Sequence, residues 1–174
     1  MTGTRRVVVG YDAQGRSAVV ADGVPAVSVT RPNGATAHEI WRQESLPADP
    51  ASPLGSEVSG TMLPMPPPRG ISIRRFTLPT DDAAAVPRVS EQDLQRAFGA
   101  GNVGTSSSGR ALARTASMYV AVVVSGRAYL VLESSEVLLE AGDCFVLPGA
   151  LHAWRNPFAE SAVMFATVYP LAEG

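Results

Sequence analysis

Residues 142–156 read GDCFVLPGALHAWRN. The Gly-Asp pair is a turn signal, the run CFVL is apolar, Pro-Gly interrupts it, and LHAWR resumes an extended pattern before Asn156. An apolar run of this length between Gly and Pro-Gly is the signature of a buried strand followed by a turn. The same punctuation continues on both sides. Short runs at about 115–124, 127–133, 136–140, 143–147, 151–155 and 162–169 predict strands. Further upstream, runs at about 6–10, 17–21 and 26–30 are split by Asp-Ala-Gln-Gly and Asp-Gly, and 36–42 and 70–78 follow. Many short strands at close spacing argue an all-β sandwich or barrel. No repeat of 20–50 residues is present.

Two segments break the β pattern. Residues 90–98 predict the one helix, with Ser90 as its cap, Glu91 after it, and Leu94 and Phe98 on one face. Residues 44–69 are rich in Pro, Ser and Gly and end in LPMPPPRG, an irregular loop that either covers a barrel mouth or lies plainly on the surface. Residues 99–109 are rich in Gly and Ser. They lack the lysine and the strand–loop–helix setting of a phosphate cradle, so a flexible connector is expected there.

The opening stretch resembles the second signature of the cupins, G-x5-P-x-G-x2-H-x3-N, through Gly142, Pro148, Gly149, His152 and Asn156, with one residue fewer before the histidine. In that family the histidine helps to hold a metal. The first cupin signature carries two histidines and a glutamate. Counting back from Gly126 places Ala113 and Thr115 at the histidine positions and Tyr119 at the acidic one. Residues 113–132, ARTASMYVAVVVSGRAYLVL, align without gaps with a branch of bacterial cupins, retaining Arg114, Thr115, Val122, Val123, Ser125 and Gly126. The resemblance implies an all-β double-stranded β-helix (jelly-roll) barrel with an N-terminal strand extension and one short helix. It implies one domain over 1–174, with strands and the Pro-rich loop in 1–80 and the core barrel motifs in 90–174. It also implies a homodimer.

Composition sets the outer bounds. The 174 residues are 45% apolar and 17% charged, with a net charge of −2, which suits a globular domain with a core. All 14 basic residues are arginine, and no basic stripe occurs; a nucleic-acid partner is not expected. No run is long enough to span a membrane, and no signal-peptide core follows the first arginines, so a cytoplasmic protein without a membrane partner is expected. Cys144 is the one cysteine and sits in an apolar run, where a buried, inert thiol is the default.

The candidate site follows from strand parity. Thr115, Ser117 and Tyr119 share a face, and the resemblance puts that face inside, near His152. A phenol and an imidazole in an apolar cavity are a plausible acid–base couple; a phenol that merely fills space is the alternative. His152 and Tyr119 are therefore the catalytic candidates. Thr115, Ser117, Val123, Trp154, Asn156, Glu39 and Trp41 are the substrate-binding candidates. In the strand TAHEIWR, Ala37, Glu39 and Trp41 fall on one face and His38, Ile40 and Arg42 on the other. An exposed position is the safer reading for Glu39. Arg74 and Arg75 have opposite parity, so one faces inward; Arg114 is expected outside. No acid is placed to orient His152 toward Ser117, which argues against a serine hydrolase.

With one motif histidine, neither metal nor other cofactor is expected. Three functions compete. The first is a metal-independent enzyme for cyclisation, dehydration or isomerisation of an apolar or aromatic carbonyl compound, of the kind met in natural-product biosynthesis. The second is a metal-dependent cupin dioxygenase with an unusual site. The third is a noncatalytic barrel that binds a small molecule.

Overall fold

The computed structural model describes residues 3–31, 33–48, 62–82 and 90–172. Its elements in chain order are β1 (Arg6–Tyr11), β2 (Ser17–Gly23), β3 (Ser28–Thr30), β4 (Thr36–Gln43), β5 (Ile71–Leu78), α1 (Glu91–Phe98), a 3-10 turn (Ala100–Asn102), β6 (Val103–Thr105), β7 (Ala111–Ala113), β8 (Ser117–Ser125), β9 (Arg127–Val131), β10 (Glu136–Glu140), β11 (Cys144–Pro148), β12 (Ala153–Arg155) and β13 (Ala162–Pro170). The strands expected from sequence are all present within a few residues. The connector at 99–109 is more regular than expected: it holds the 3-10 turn and β6, which pairs antiparallel with β7. The middle of the Pro-rich stretch, 49–61, lies outside the described residues.

Eight strands form the barrel, and their pairing has a nested order. β9 pairs with β10, β8 with β11, β7 with β12 through the Ala113–His152 bridge, and β5 with β13, all antiparallel. The chain is thus a long antiparallel ribbon whose tip is the β9–β10 hairpin. Winding that ribbon gives two sheets. One runs β11-β8-β13-β5 and continues into β4 and β3; the other runs β10-β9-β12 and reaches β7 through the bridge. β5 is the first strand of this winding, so the barrel begins before residue 80.

The crossing from β8 to β9 requires Gly126. Its φ is +70°, and a Cβ there would stand 2.5 Å from the Ser161 carbonyl oxygen, so backbone of the β12–β13 connection packs directly on the turn.

Alternation builds the core. On β8, Ser117, Ala121 and Val123 are buried while Val120 and Val124 are exposed. Val123, Ala128, Leu130, Leu139, Ala162 and Met164 form the buried apolar cluster, with Phe76, Leu78, Phe145 and Trp154 packed on it. Cys144 is exposed, contrary to expectation. It pairs with Val122 on the outer face, and Phe145 and Leu147 carry the inward parity of β11. α1 is capped as expected: Ser90 Oγ accepts from the Asp93 amide, and Asp93 accepts from the Ser90 amide. The helix lies beside β6 and β7.

The hairpin β1–β2 stands apart from both sheets. Its outward face exposes Val7, Val9, Tyr11 and Val19. No described helix is long and apolar enough to cross a membrane.

Asn156 closes the β12–β13 end and is fully buried. Its Nδ2 donates to the Leu78 and Glu160 carbonyls, its Oδ1 accepts from the Phe158 amide, and its backbone exchanges bonds with Asp81. Its amide group is therefore engaged by the chain itself, which makes Asn156 a structural clamp and removes it from the substrate-binding set. Asn156→Ala leaves two carbonyls and one amide without their partners. Urea unfolding is expected to show a loss of at least about 2 kcal/mol; an unchanged midpoint would contradict the clamp.

Candidate functional site

The inner face of the large sheet changes character along its length. Toward the β8–β9 turn it is apolar, through Val123, Met164 and Phe76. Toward the other end it carries Ser72 and Arg74 on β5 and Glu39 on β4, all buried. Two of these positions follow from parity, since Arg74 and not Arg75 faces inward.

The third follows from register too, since Glu39 shares a face with buried Ala37 and pairs with the inward Arg74; a bulge just beyond it is what parity could not show. β4 pairs Glu39 with Arg74, then skips to pair Trp41 with Ile73 and Arg42 with Ser72. One extra residue in a strand reverses the alternation beyond it. Glu39 precedes the bulge and is 0% exposed rather than solvent-facing. Arg42 turns inward beside it. Trp41 moves to the outer side, where the guanidinium of Arg6 lies 5.9 Å from its ring. Trp41 therefore does not line the interior, and the expectation that it shares a face with Glu39 is corrected.

Glu39 serves two arginines. Arg42 Nη2 donates to its Oε2 at 2.6 Å, and Arg74 Nη2 stands 3.7 Å from its Oε1. The Ser72 hydroxyl also donates to Oε1. Arg74, 3% exposed, donates from Nε to Ser72 Oγ at 2.8 Å. Its other two nitrogens reach the Pro-rich loop: Nη1 to the Pro64 carbonyl at 3.1 Å and Nη2 to the Leu63 carbonyl at 2.7 Å. The loop thus does lie over this end of the barrel. Its far end is fixed by the Leu46 amide donating to the Arg69 carbonyl, and by Gly70, where a Cβ would fall 1.7 Å from the Gln43 carbonyl oxygen. Between the loop and β4 is an open cleft of about 370 Å³ lined by Arg42, Glu44 and residues 63–68.

Tyr119 lies on the same inner face, opposite Leu147 and Val168, with its ring 6.2 Å from Phe76. Its phenol is within electrostatic range of Arg74. Burial pushes the Arg74 guanidinium below its ordinary value, and Tyr119 and Glu39 act against that. Thr115 and Ser117 stand at the end of β8 and share a hydrogen bond of 2.6 Å between their hydroxyls.

His152 belongs to the facing sheet. It shares parity with Trp154, whose cross-strand partner is the core residue Leu130. Its Nδ1 donates to the Ala150 carbonyl at 2.9 Å, which fixes the tautomer and leaves the Nε2 lone pair unengaged among the described residues. Its ring meets Trp154 edge-on at 6.4 Å, and Trp154 meets Phe145 at 5.5 Å. No hydrogen bond joins His152 to Tyr119 among the described residues. Tyr119 lies beside Phe76 and His152 beside Trp154, which meets Phe145, and these three aromatic side chains each pack on the core. Val123 and Trp154 are accordingly parts of that packing, and Val123 is 1% exposed. Arg114 is outside, donating to Asn102 and to the Gly101 carbonyl. His38 also faces outward, paired with Arg75, and does not approach His152.

The nested ribbon and the meeting of β7 with β12 at His152 decide the architecture. This is the cupin fold. No protein-family model and no curated protein matches the chain. Among solved structures, the chain is similar to the cupin domain of Schizosaccharomyces pombe Cnp3 (10% identity, TM-score 0.45, covering 96% of this chain and 83% of that one). It is also similar to a cupin-2 domain from Rhodospirillum rubrum (12%, 0.44, 84% and 67%) and a cupin-2 conserved barrel protein from Salinispora arenicola (15%, 0.43, 81% and 81%).

The cupin fold implies a metal at the positions of Ala113, Thr115, Tyr119 and His152. A methyl group, a hydroxyl, a phenol and one imidazole stand there. No cluster of three or more His, Cys, Asp or Glu forms among the described residues. This donor set does not fit a divalent transition metal.

Burial lowers the pKa of His152 from 6.5, opposed by its bond to Ala150; His38 shifts the same way through burial and the charge of Arg75. With the folded value below the unfolded one, the unfolded chain binds more protons between the two. Stability therefore rises with pH across that window, levels off above about 6.5, and is lost on acidification. An NMR titration of the two ring Cε1–H signals is expected to place both midpoints below 6.5. A midpoint for His152 at or above that value would contradict the half-buried, neutral imidazole.

Proposed function

We propose that this cupin handles a small organic molecule without a resident metal, as an enzyme that cyclises, dehydrates or isomerises an apolar or aromatic carbonyl compound. The observation that carries this reading is an imidazole with an unengaged Nε2 on one sheet and an inward phenol on the facing sheet, each beside an aromatic side chain of the core. His152 presents Nε2 as a proton acceptor, and burial keeps it unprotonated near neutral pH. Tyr119 supplies a hydroxyl that donates to a carbonyl oxygen as it gains charge. The step is the removal of a proton beside the carbonyl by Nε2, with the electron pair moving to the oxygen held by Tyr119. The imidazolium then returns the proton to another carbon in an isomerisation, or to the hydroxide leaving the neighbouring carbon in a dehydration; in a ring closure the enolate carbon bonds to a second carbonyl carbon of the same molecule and the imidazolium protonates the resulting alkoxide. Phe76, Phe145 and Trp154 exclude water from the reacting face.

A second reading has its own support. Tyr119 and His152 do not touch, and each ring has a packing partner, which suits a barrel that binds without turnover. The dioxygenase reading has the donor set against it.

Two measurements separate these readings. Elemental analysis of untagged protein, purified without chelator, is expected to show well under one equivalent of iron, nickel, manganese or zinc. Stoichiometric metal, lost together with activity, would contradict the proposal. With a turned-over compound in hand, His152→Ala and Tyr119→Phe are each expected to lower kcat by about 10²–10⁴-fold, the range for a positioned proton-transfer group. Tyr119→Phe removes one hydroxyl and should leave thermal stability nearly unchanged. Undiminished kcat in both variants would leave the pocket as a binding site alone.

A further inference from the structure

At the loop-covered end of the barrel two guanidinium groups share one buried carboxylate: Arg74 is buried, and Arg42 is part-buried on the cleft wall. Fold stability does not require this arrangement, because buried ion pairs are commonly replaceable by apolar groups without loss. The carboxylate is also fully used. Glu39 takes both an Nη2 bond of 2.6 Å and an Nε contact of 3.4 Å from Arg42, together with the Ser72 hydroxyl. Arg74 is left at 3.7 Å. Its hydrogen bonds all go to neutral oxygens: Ser72 Oγ and the carbonyls of Leu63 and Pro64. The other formal charges acting on it are Arg42 and Arg31, both positive. Among the described residues Glu39, Arg42 and Arg74 together carry one net positive charge, and the more buried of the two guanidinium groups, Arg74, is the one bonded only to neutral oxygens and the one that holds residues 63 and 64.

We propose that Arg74 is the recognition residue for a carboxylate, and that the substrate of this barrel is a small organic monoanion. The carboxylate replaces the Leu63 and Pro64 carbonyls on the guanidinium fork. This rests on the small-molecule reading above and deepens it by naming the substrate class. The exchange is favourable because a guanidinium bonds a carboxylate about twice as strongly as a neutral acceptor, and its fork matches the two oxygens. One excess charge selects a monoanion over a neutral compound. The cleft beside Arg42 and the loop lies on the side from which the anion arrives, with Glu44 on its wall. Entry breaks the two bonds that tie residues 63 and 64 to the barrel, so binding and loop release are one event. Tyr119, within electrostatic range of Arg74, then stands at the inner end of the bound molecule.

The test is NMR on the full chain, labelled with ¹⁵N, using acetate, benzoate and phenylacetate beside acetamide, benzamide and phenylacetamide. At least one carboxylate is expected to saturate, moving the Arg74 Nε–H signal and the amides of Leu63 and Met65. Its amide counterpart is expected to bind at least about tenfold more weakly. Arg74→Lys keeps the buried charge but removes the fork, and is expected to weaken the carboxylate by about tenfold or more. Arg74→Gln should abolish the preference, and if it does not fold, Arg74→Lys alone carries the comparison. Equal binding of acid and amide, or a bound carboxylate that leaves the Arg74 signal unmoved, would overturn the anion site while sparing the small-molecule reading. Binding of no compound in either set would overturn both.

Discussion

One carboxylate shared by two guanidinium groups organises the working end of this barrel. Glu39 joins β4 to β5 through Ser72 and Arg74, and Arg74 in turn joins the sheet to the loop at 63–64. Remove that carboxylate and the buried Arg74, bonded among the described residues only to neutral oxygens, is left beside the part-buried charge of Arg42. The opposite end needs no such device. There the ribbon closes by apolar packing of Val123, Leu130 and Met164, and Gly126 lets the connection to β13 lie against its turn. The barrel therefore has one end filled by apolar packing and one charged end where residues 63 and 64 are bonded to Arg74.

This division explains why the metal positions are empty of ligands while the barrel remains polar inside. A cupin that relied on a metal would gather its charge at the β7–β12 meeting point. Here that point holds Ala113 beside His152, and the buried charge lies on the facing sheet, on β4 and β5. Tyr119 links the two regions, with Phe76 on one side and the field of Arg74 on the other.

Much of the fold was legible because it depends on local rules. Alternating runs gave the strands, Ser90 gave the helix cap, and Pro148-Gly149 and His152 gave the second motif. The site was legible in part. Parity alone turned one of Arg74 and Arg75 inward. What parity could not deliver was the bulge between Glu39 and Trp41, since nothing in TAHEIWR marks an extra residue. That single residue exchanged the roles of Trp41 and Arg42. The burial of Glu39 depended on partners at positions 72 and 74, beyond a loop of more than twenty residues, and no local signal carries a contact over that distance. Asn156 was misassigned for a related reason: a motif asparagine looks the same whether it meets a ligand or three backbone groups.

The most direct measurement is a double-mutant cycle between Glu39 and Arg74, using Glu39→Gln, Arg74→Gln and the double variant, read by denaturant unfolding at neutral pH. A buried, shared carboxylate predicts that the two losses do not add, with a coupling of about 1–3 kcal/mol. Additive losses, with coupling near zero, would mean that the two side chains do not sense each other, and the charged end would not be the organising feature of this barrel.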